Sequence, residues 1–132
     1  MSSQKNRMEK IEKILRRIAA ESSSGTVIIV EGRKDEETLR RLGLTGPIVC
    51  FKSSGKVMND FLGQISARKV ILLTDFDREG RELSTRMARE LGHLKIATDD
   101  ILRKRLSALV KQDARTIEGL CAFVEKMREE SR

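Results

Sequence analysis

Apolar residues recur along the chain with two different periods, and the change between them divides it. Over residues 7–20, Ile11, Ile14, Leu15 and Ile18 fall at i, i+3, i+4 and i+7, with Met8 extending the stripe, which predicts an amphipathic helix. Ser22-Ser23-Ser24-Gly25 breaks that pattern and reads as a linker. From residue 26 the run Thr26-Val27-Ile28-Ile29-Val30 is continuous, apolar and β-branched, as in a strand covered on both faces. Ile48-Val49-Cys50-Phe51 and Val70-Ile71-Leu72-Leu73 predict a second and third strand, and His93 to Ala97 a short fourth. Helices are predicted between them. Asp35 can cap one carrying Leu39 and Leu42 and stopped by Gly43. Another spans Val57 to Ile65, and a third runs from Arg78 to Leu91 with Leu83, Met87 and Leu91 inward and Gly92 as its stop. Thr98-Asp99-Asp100 opens a further helix, and residues 114–127 space Ile117, Leu120, Cys121, Val124 and Met127 helically.

Strands alternating with helices define an α/β fold with a mostly parallel, four-stranded sheet flanked by helices. The expected organisation is a basic N-terminal helix and linker (1–24), a core (25–98) and a basic C-terminal helical extension (99–132). With roughly 100–200 residues per domain as the norm, 132 residues make one compact domain overall. The longest apolar runs are far too short to span a bilayer, and MSSQKNRMEK lacks the apolar stretch of a signal peptide. A cytoplasmic protein with no membrane partner is therefore expected.

Composition narrows the chemistry. The chain has 27 Lys+Arg against 20 Asp+Glu, a net charge of +7, which favours a polyanionic partner. It has no Tyr, no Trp and four Phe, too few aromatics for a surface that stacks unpaired bases. One histidine, His93, and two cysteines, Cys50 and Cys121, cannot assemble a zinc site. The cysteines lie in apolar stretches and are expected to be buried and reduced, and His93 is expected to be structural.

Acids stand at two strand ends. Glu31 follows the first strand directly, and Asp75 and Asp77 follow the third, with Glu79 just beyond. Ligands in open α/β sheets bind at the carboxyl ends of the strands. If the first and third strands are neighbours, four carboxylates converge there, and such a cluster needs a compensating cation. Carboxylates without His or Cys are hard oxygen ligands suited to Mg²⁺, with Mn²⁺ as a substitute. The simpler alternative is a helix cap, which Asp77 can provide for the helix beginning at Arg78.

The paired motifs VEGRKD (residues 30–35) and TDFDREG (residues 74–80) resemble the two signatures of the Toprim domain, over about residues 26–98. That domain is shared by topoisomerases, bacterial-type primases, recombination proteins and the ribonuclease that matures 5S ribosomal RNA. The small size and basic flanks look most like the small stand-alone archaeal Toprim proteins. The resemblance implies a Rossmann-like Toprim fold and Mg²⁺ held by Asp75 and Asp77. It implies Glu31 as general acid/base and possible ligand, and Glu79 as a third acid. Gly32 and Gly80 match the turn glycines that let backbone approach a phosphate.

Departures prune the activities. With no tyrosine the chain cannot be a self-sufficient topoisomerase, and it has no room for the further regions of a primase. Arg81 stands where the type IA pattern has an acid, with Glu82 next. Hydrolysis by metal-activated water survives, as does binding without chemistry. Lys56 in Ser53-Ser54-Gly55-Lys56 can touch a phosphate, or the segment is a plain turn. Arg78, Arg81, Arg86 and Arg89 ride the helix behind the acids, where Glu82 can pair with Arg86. Arg103, Lys104, Arg105, Lys111 and Arg115 face only Asp113 over residues 101–116. Phosphate and sugar contacts then suit structured RNA better than DNA or an unstacked strand. Three expectations follow: a Mg²⁺-dependent nuclease on structured RNA, a non-catalytic RNA-binding module in a ribosome-related or other ribonucleoprotein assembly, or an accessory subunit in DNA processing.

Overall fold

A computed structural model describes residues 3–131. The elements are α1 (Ser3–Ser23), β1 (Val27–Val30), α2 (Arg33–Arg41) and β2 (Ile48–Cys50), then a single 3₁₀ turn (Lys52–Ser54) and α3 (Met58–Gly63). They continue with β3 (Lys69–Leu72), α4 (Arg78–His93), β4 (Ala97–Asp99), α5 (Ile101–Val110) and α6 (Ile117–Glu130). The sheet order is β2-β1-β3-β4 and every pairing is parallel. Because β1 is flanked by β2 on one side and β3 on the other, the crossovers leave in opposite directions from the β1/β3 boundary. That is the topological switch point, where the strand ends open a crevice.

Side-chain alternation sorts the sheet residues into two cores. Ile28, Val30, Ile48 and Ile71 pack with Ile11, Leu15 and Ile18 of α1, Leu39 of α2, Leu102 and Leu106 of α5, and Ile117, Leu120 and Val124 of α6. Ile29, Val70 and Leu72 pack on the other face with Phe61 and Leu62 of α3 and Leu83, Met87 and Leu91 of α4. The N-terminal helix and the C-terminal helices thus share one core with the sheet. Arg128 adds a two-pronged pair to Glu12 (2.8 and 2.7 Å) and Arg41 one to Glu125 (3.1 Å each), joining α6 to α1 and α2. Among the described residues no helix is long and apolar enough to cross a membrane.

Several element boundaries differ from the sequence reading, most of them where a hydrogen bond outweighs local pattern. Ser22 and Ser23 are helical rather than linker, since buried Ser22 accepts from the Gly46 amide through Oγ at 2.9 Å. The helix α4 runs through Gly92, and Lys95, at φ 62, makes the turn expected of that glycine, so the fourth strand starts at Ala97. Asp99 lies in β4 and caps α5 through Oδ1, which accepts from Ile101 and Leu102. The last helix begins at Ile117, where Thr116 accepts from the Gly119 amide. Asp35 is not the first cap of α2: Gly32 takes that place, and Asp35 Oδ2 accepts from the Gly32 amide at 3.1 Å.

Both cysteines are free. Cys121 is buried and Cys50 half-buried, and burial pushes each thiol up to about 11, so neither is a thiolate nucleophile at neutral pH.

Candidate metal centre

Pairing of β1 with β3 brings Glu31 beside the loop 73–77. Glu31 is only 4% exposed, and its Oε2 accepts from the Asp75 amide at 2.9 Å. Its Oε1 lies 2.8 Å from Lys52 Nζ, and the same ammonium reaches Glu79 Oε1 at 2.6 Å. Lys52, on the turn after β2, therefore bridges two of the predicted acids. Hydrogen bonds from it to Glu31 and Glu79 raise its pKa, so it remains a cation.

Asp75 and Asp77 face different partners. Asp75 Oδ1 accepts from the Ile117 amide at 2.9 Å, at the N-terminus of α6. Asp77 caps α4, with Oδ1 accepting from Gly80 at 2.8 Å, so the simpler reading of this residue holds for one of its two oxygens. The carboxyl of Asp75 is pushed up to about 6, first by burial, against the Ile117 hydrogen bond, and then by the charges of Glu31, Asp35 and Asp77. Asp35 belongs to this acidic neighbourhood. It is 7% exposed, its pKa is raised chiefly by burial, and backbone hydrogen bonds from Gly32 and Glu118 oppose that shift.

These observations test the fit of a hard divalent ion. The donors are all carboxylate oxygens, neighbouring acids add to the raised pKa of Asp75 and Asp35, and an ammonium already lies between two of them. Among the described residues no three acids, histidines or cysteines form a ready-made ligand set. Mg²⁺ ordinarily takes only one or two carboxylates and keeps several waters, so the residues present fit it.

The burial of the Asp75 carboxylate among other acids has a measurable consequence. In chelator, Asp75→Asn should raise the melting temperature by about 2–5 °C at pH 7.5, taking ~1 kcal/mol after allowance for solvent screening. Asparagine keeps the acceptor for Ile117 and removes the charge. The folded carboxyl titrates near 6 rather than the usual 3.8, so its ionisation costs stability above pH 6 and that cost fades as pH falls through 6. Thermal melts at pH 7.5 and 5 should show the gain shrinking; a lower melting temperature at pH 7.5 would contradict a net cost of burying this charge.

Both turn glycines also make contacts within the fold. A Cβ on Gly80 would overlap the Asp75 main chain, and the Gly80 carbonyl accepts from Thr74 Oγ1 at 2.7 Å. Its small size lets α4 press against the acid loop. The Gly32 amide is directed to Asp35.

Basic residues predicted as one surface point in several directions, because consecutive helical positions are 100° apart. Arg103 is 3% exposed, with Nη1 3.4 Å from the Asp75 carbonyl, which removes it from the exposed basic face. Lys104 pairs with Asp100 at 3.2 Å, and Arg105 lines a groove with Lys10, Lys13 and Arg17 of α1. Lys56 is exposed, and Lys52 is the lysine of that segment touching the acids. Glu82 pairs with Arg78 at 3.1 Å rather than with Arg86. Arg78, Arg81, Lys111 and Arg115 surround a cleft beside Asp77.

A parallel sheet with acids from β1 and β3 at its switch point defines the class, and residues 26–109 match the Toprim domain. The chain belongs to the Toprim domain family. Its similarity extends to small archaeal proteins named UPF0292. One from Methanosarcina acetivorans is 30% identical over 125 residues, covering 94% of this chain and 86% of that protein. One from Methanocaldococcus jannaschii is 34% identical over 119 residues (89% and 92%), and one from Pyrococcus furiosus 36% over 120 residues (91% and 88%). A solved structure of a protein from Aquifex aeolicus superposes with a TM-score of 0.68 at 26% identity, covering 81% of this chain and 94% of that one. The family carries a metal-binding, nucleic-acid-related function.

Proposed function

We propose that the protein hydrolyses phosphodiester bonds in structured RNA with Mg²⁺ as cofactor and Mn²⁺ as substitute. The observation that carries this reading is the buried Glu31, held on the Asp75 amide with Lys52 between it and Glu79. Asp75 and Asp77 would hold the ion, with Glu79 at its margin. The ion, when bound, would polarise the phosphate and acidify a water. Glu31 exchanges a proton with the attacking or leaving oxygen through Oε1, the oxygen not held by the Asp75 amide. Lys52 keeps that carboxylate oriented and offers positive charge to the phosphate. RNA is favoured because the aromatics are committed elsewhere: Phe76 is buried, Phe51 and Phe61 pack edge to face at 5.1 Å, and Phe123 lies under Arg7. Recognition is then left to phosphate, sugar and shape.

A second reading, a non-catalytic RNA-binding module, is favoured by the fact that each acid already has a protein partner. Labelled hairpin RNA incubated with Mg²⁺, Mn²⁺ or chelator separates the two. Asp77→Asn is the informative variant, since asparagine caps a helix as well as aspartate does. Metal-dependent cleavage lost in a folded Asp77→Asn supports hydrolysis. Retention of RNA without cleavage, unaltered by the substitution, supports the binding module.

A further inference from the structure

The cleft beside Asp77, of about 310 Å³, is not used by the mechanism above. Three segments build it: Arg78 and Arg81 from the start of α4, Ser107 and Lys111 from one face of α5, and Arg115 from the connection to α6. Phe76 and Ala114, both buried, form its floor. We propose that this cleft binds the terminal phosphate monoester of a nucleic-acid strand. The inference rests on the nucleic-acid reading and narrows it to a substrate end.

Charge is the first argument. Four cations line the cleft against one acid, Asp77. Arg78 is spent on Glu82, whereas among the described residues no ion pair engages Arg81, Lys111 or Arg115. Two positive charges are left uncompensated. A phosphodiester brings one negative charge; a phosphomonoester brings about −1.5 to −2 at pH 7 and three strong acceptor oxygens. The monoester is the better match.

Rigidity is the second. Arg81 Nη1 donates to the Phe76 carbonyl at 3.3 Å, and the Phe76 amide donates to the Arg115 carbonyl at 2.8 Å. The Arg81 guanidinium is therefore anchored to the acid loop, and the backbone of Arg115 is tied to the same loop, which fixes where its exposed side chain starts. A guanidinium held like that of Arg81 suits a phosphate oxygen pair.

Behind them lies Arg103, 3% exposed, whose Nε has no hydrogen-bond partner. Its Nη1 lies 3.4 Å from the Asp75 carbonyl, in the loop that Arg81 also grips through the Phe76 carbonyl. Two like charges in one place, one of them buried, are relieved by an anion in the cleft. Because Asp77 and Arg78 also border the acid edge, a strand end seated here places its neighbouring linkages beside that edge.

The test is fluorescence anisotropy in chelator, so that a bound metal cannot attract the terminal phosphate. One hairpin RNA is used with a 5′-phosphate, a 3′-phosphate or hydroxyls at both ends. Wild type should bind one phosphorylated form at least about 10-fold more tightly than the hydroxyl form, and the preferred end identifies the strand polarity. Lys111→Ala/Arg115→Ala should bind all three alike; both side chains are exposed, and Arg115 serves the fold through its carbonyl. Lys95→Ala/Lys126→Ala, which removes the same charge elsewhere, should keep the preference. Equal binding of all three hairpins by wild type overturns this inference and leaves the nucleic-acid reading standing. No binding of any hairpin overturns both. In that case, thermal stabilisation by inorganic phosphate, lost in the double variant, reassigns the cleft to a free phosphate.

Discussion

Glu31→Gln should leave the protein folded and slow metal-dependent cleavage by roughly 10²–10⁴-fold, the range expected when a general acid/base is removed. The carboxylate is buried, with Oε2 on the Asp75 amide and Oε1 on Lys52. A glutamine can keep the first contact through its amide oxygen. It cannot accept a proton at the second position, and it releases the Lys52 ammonium to Glu79 alone. The folded state therefore loses one partly exposed ion pair, worth about 0–1 kcal/mol, while the chemistry loses its proton acceptor. Single-turnover cleavage of a labelled hairpin, alongside a far-UV melt, separates the two effects. A rate within threefold of wild type would remove Glu31 from the mechanism.

Gly80→Ala should cost about 3 kcal/mol or more, lowering the melting temperature by roughly 10 °C, because overpacking against main chain has no cheap relaxation. The added methyl meets the oxygen, carbon and nitrogen of Asp75 rather than a flexible side chain. The loop cannot retreat freely. Its Asp75 amide is held by Glu31, the Asp75 carboxylate by the Ile117 amide and the Phe76 amide by the Arg115 carbonyl. On the other side Thr74 grips the Gly80 carbonyl. Relief must come from displacing the segment that carries Asp75 and Asp77, so metal binding should weaken together with stability. An alanine variant that melts with wild type would show that the loop and α4 are not in the close contact described.

The strands were readable because a sheet buried on both faces demands unbroken apolar runs, and Val27–Val30 and Val70–Leu73 are such runs, rich in β-branched residues. The acids were readable because they stand immediately beyond those runs. The partners of the acids were not. Lys52 and Lys56 lie in one polar turn with nothing local to separate them; only the packing of the β2 turn against the start of α4 selects Lys52. Asp75 finds its amide at Ile117, 42 residues away, through the docking of α6, and Asp35 shares that helix end. Arg103, Lys104 and Arg105 read as one positive run, yet three successive helical positions cannot share a face. One is buried, one paired and one turned to α1. Lys95, at positive φ, could not be anticipated while Gly92 stood nearby.

Everything proposed for this site depends on the β1/β3 edge holding a divalent ion through Asp75 and Asp77. The most direct measurement is a titration of Mn²⁺ against the metal-free protein by electron paramagnetic resonance, with Asp75→Asn/Asp77→Asn in parallel. It needs no knowledge of the substrate. Saturable Mn²⁺ binding, displaced by Mg²⁺ and absent from the double variant, is the predicted result. No saturable binding, or binding that survives both substitutions unchanged, would contradict the account and leave the acids as partners of Lys52, Ile117 and the α4 cap alone.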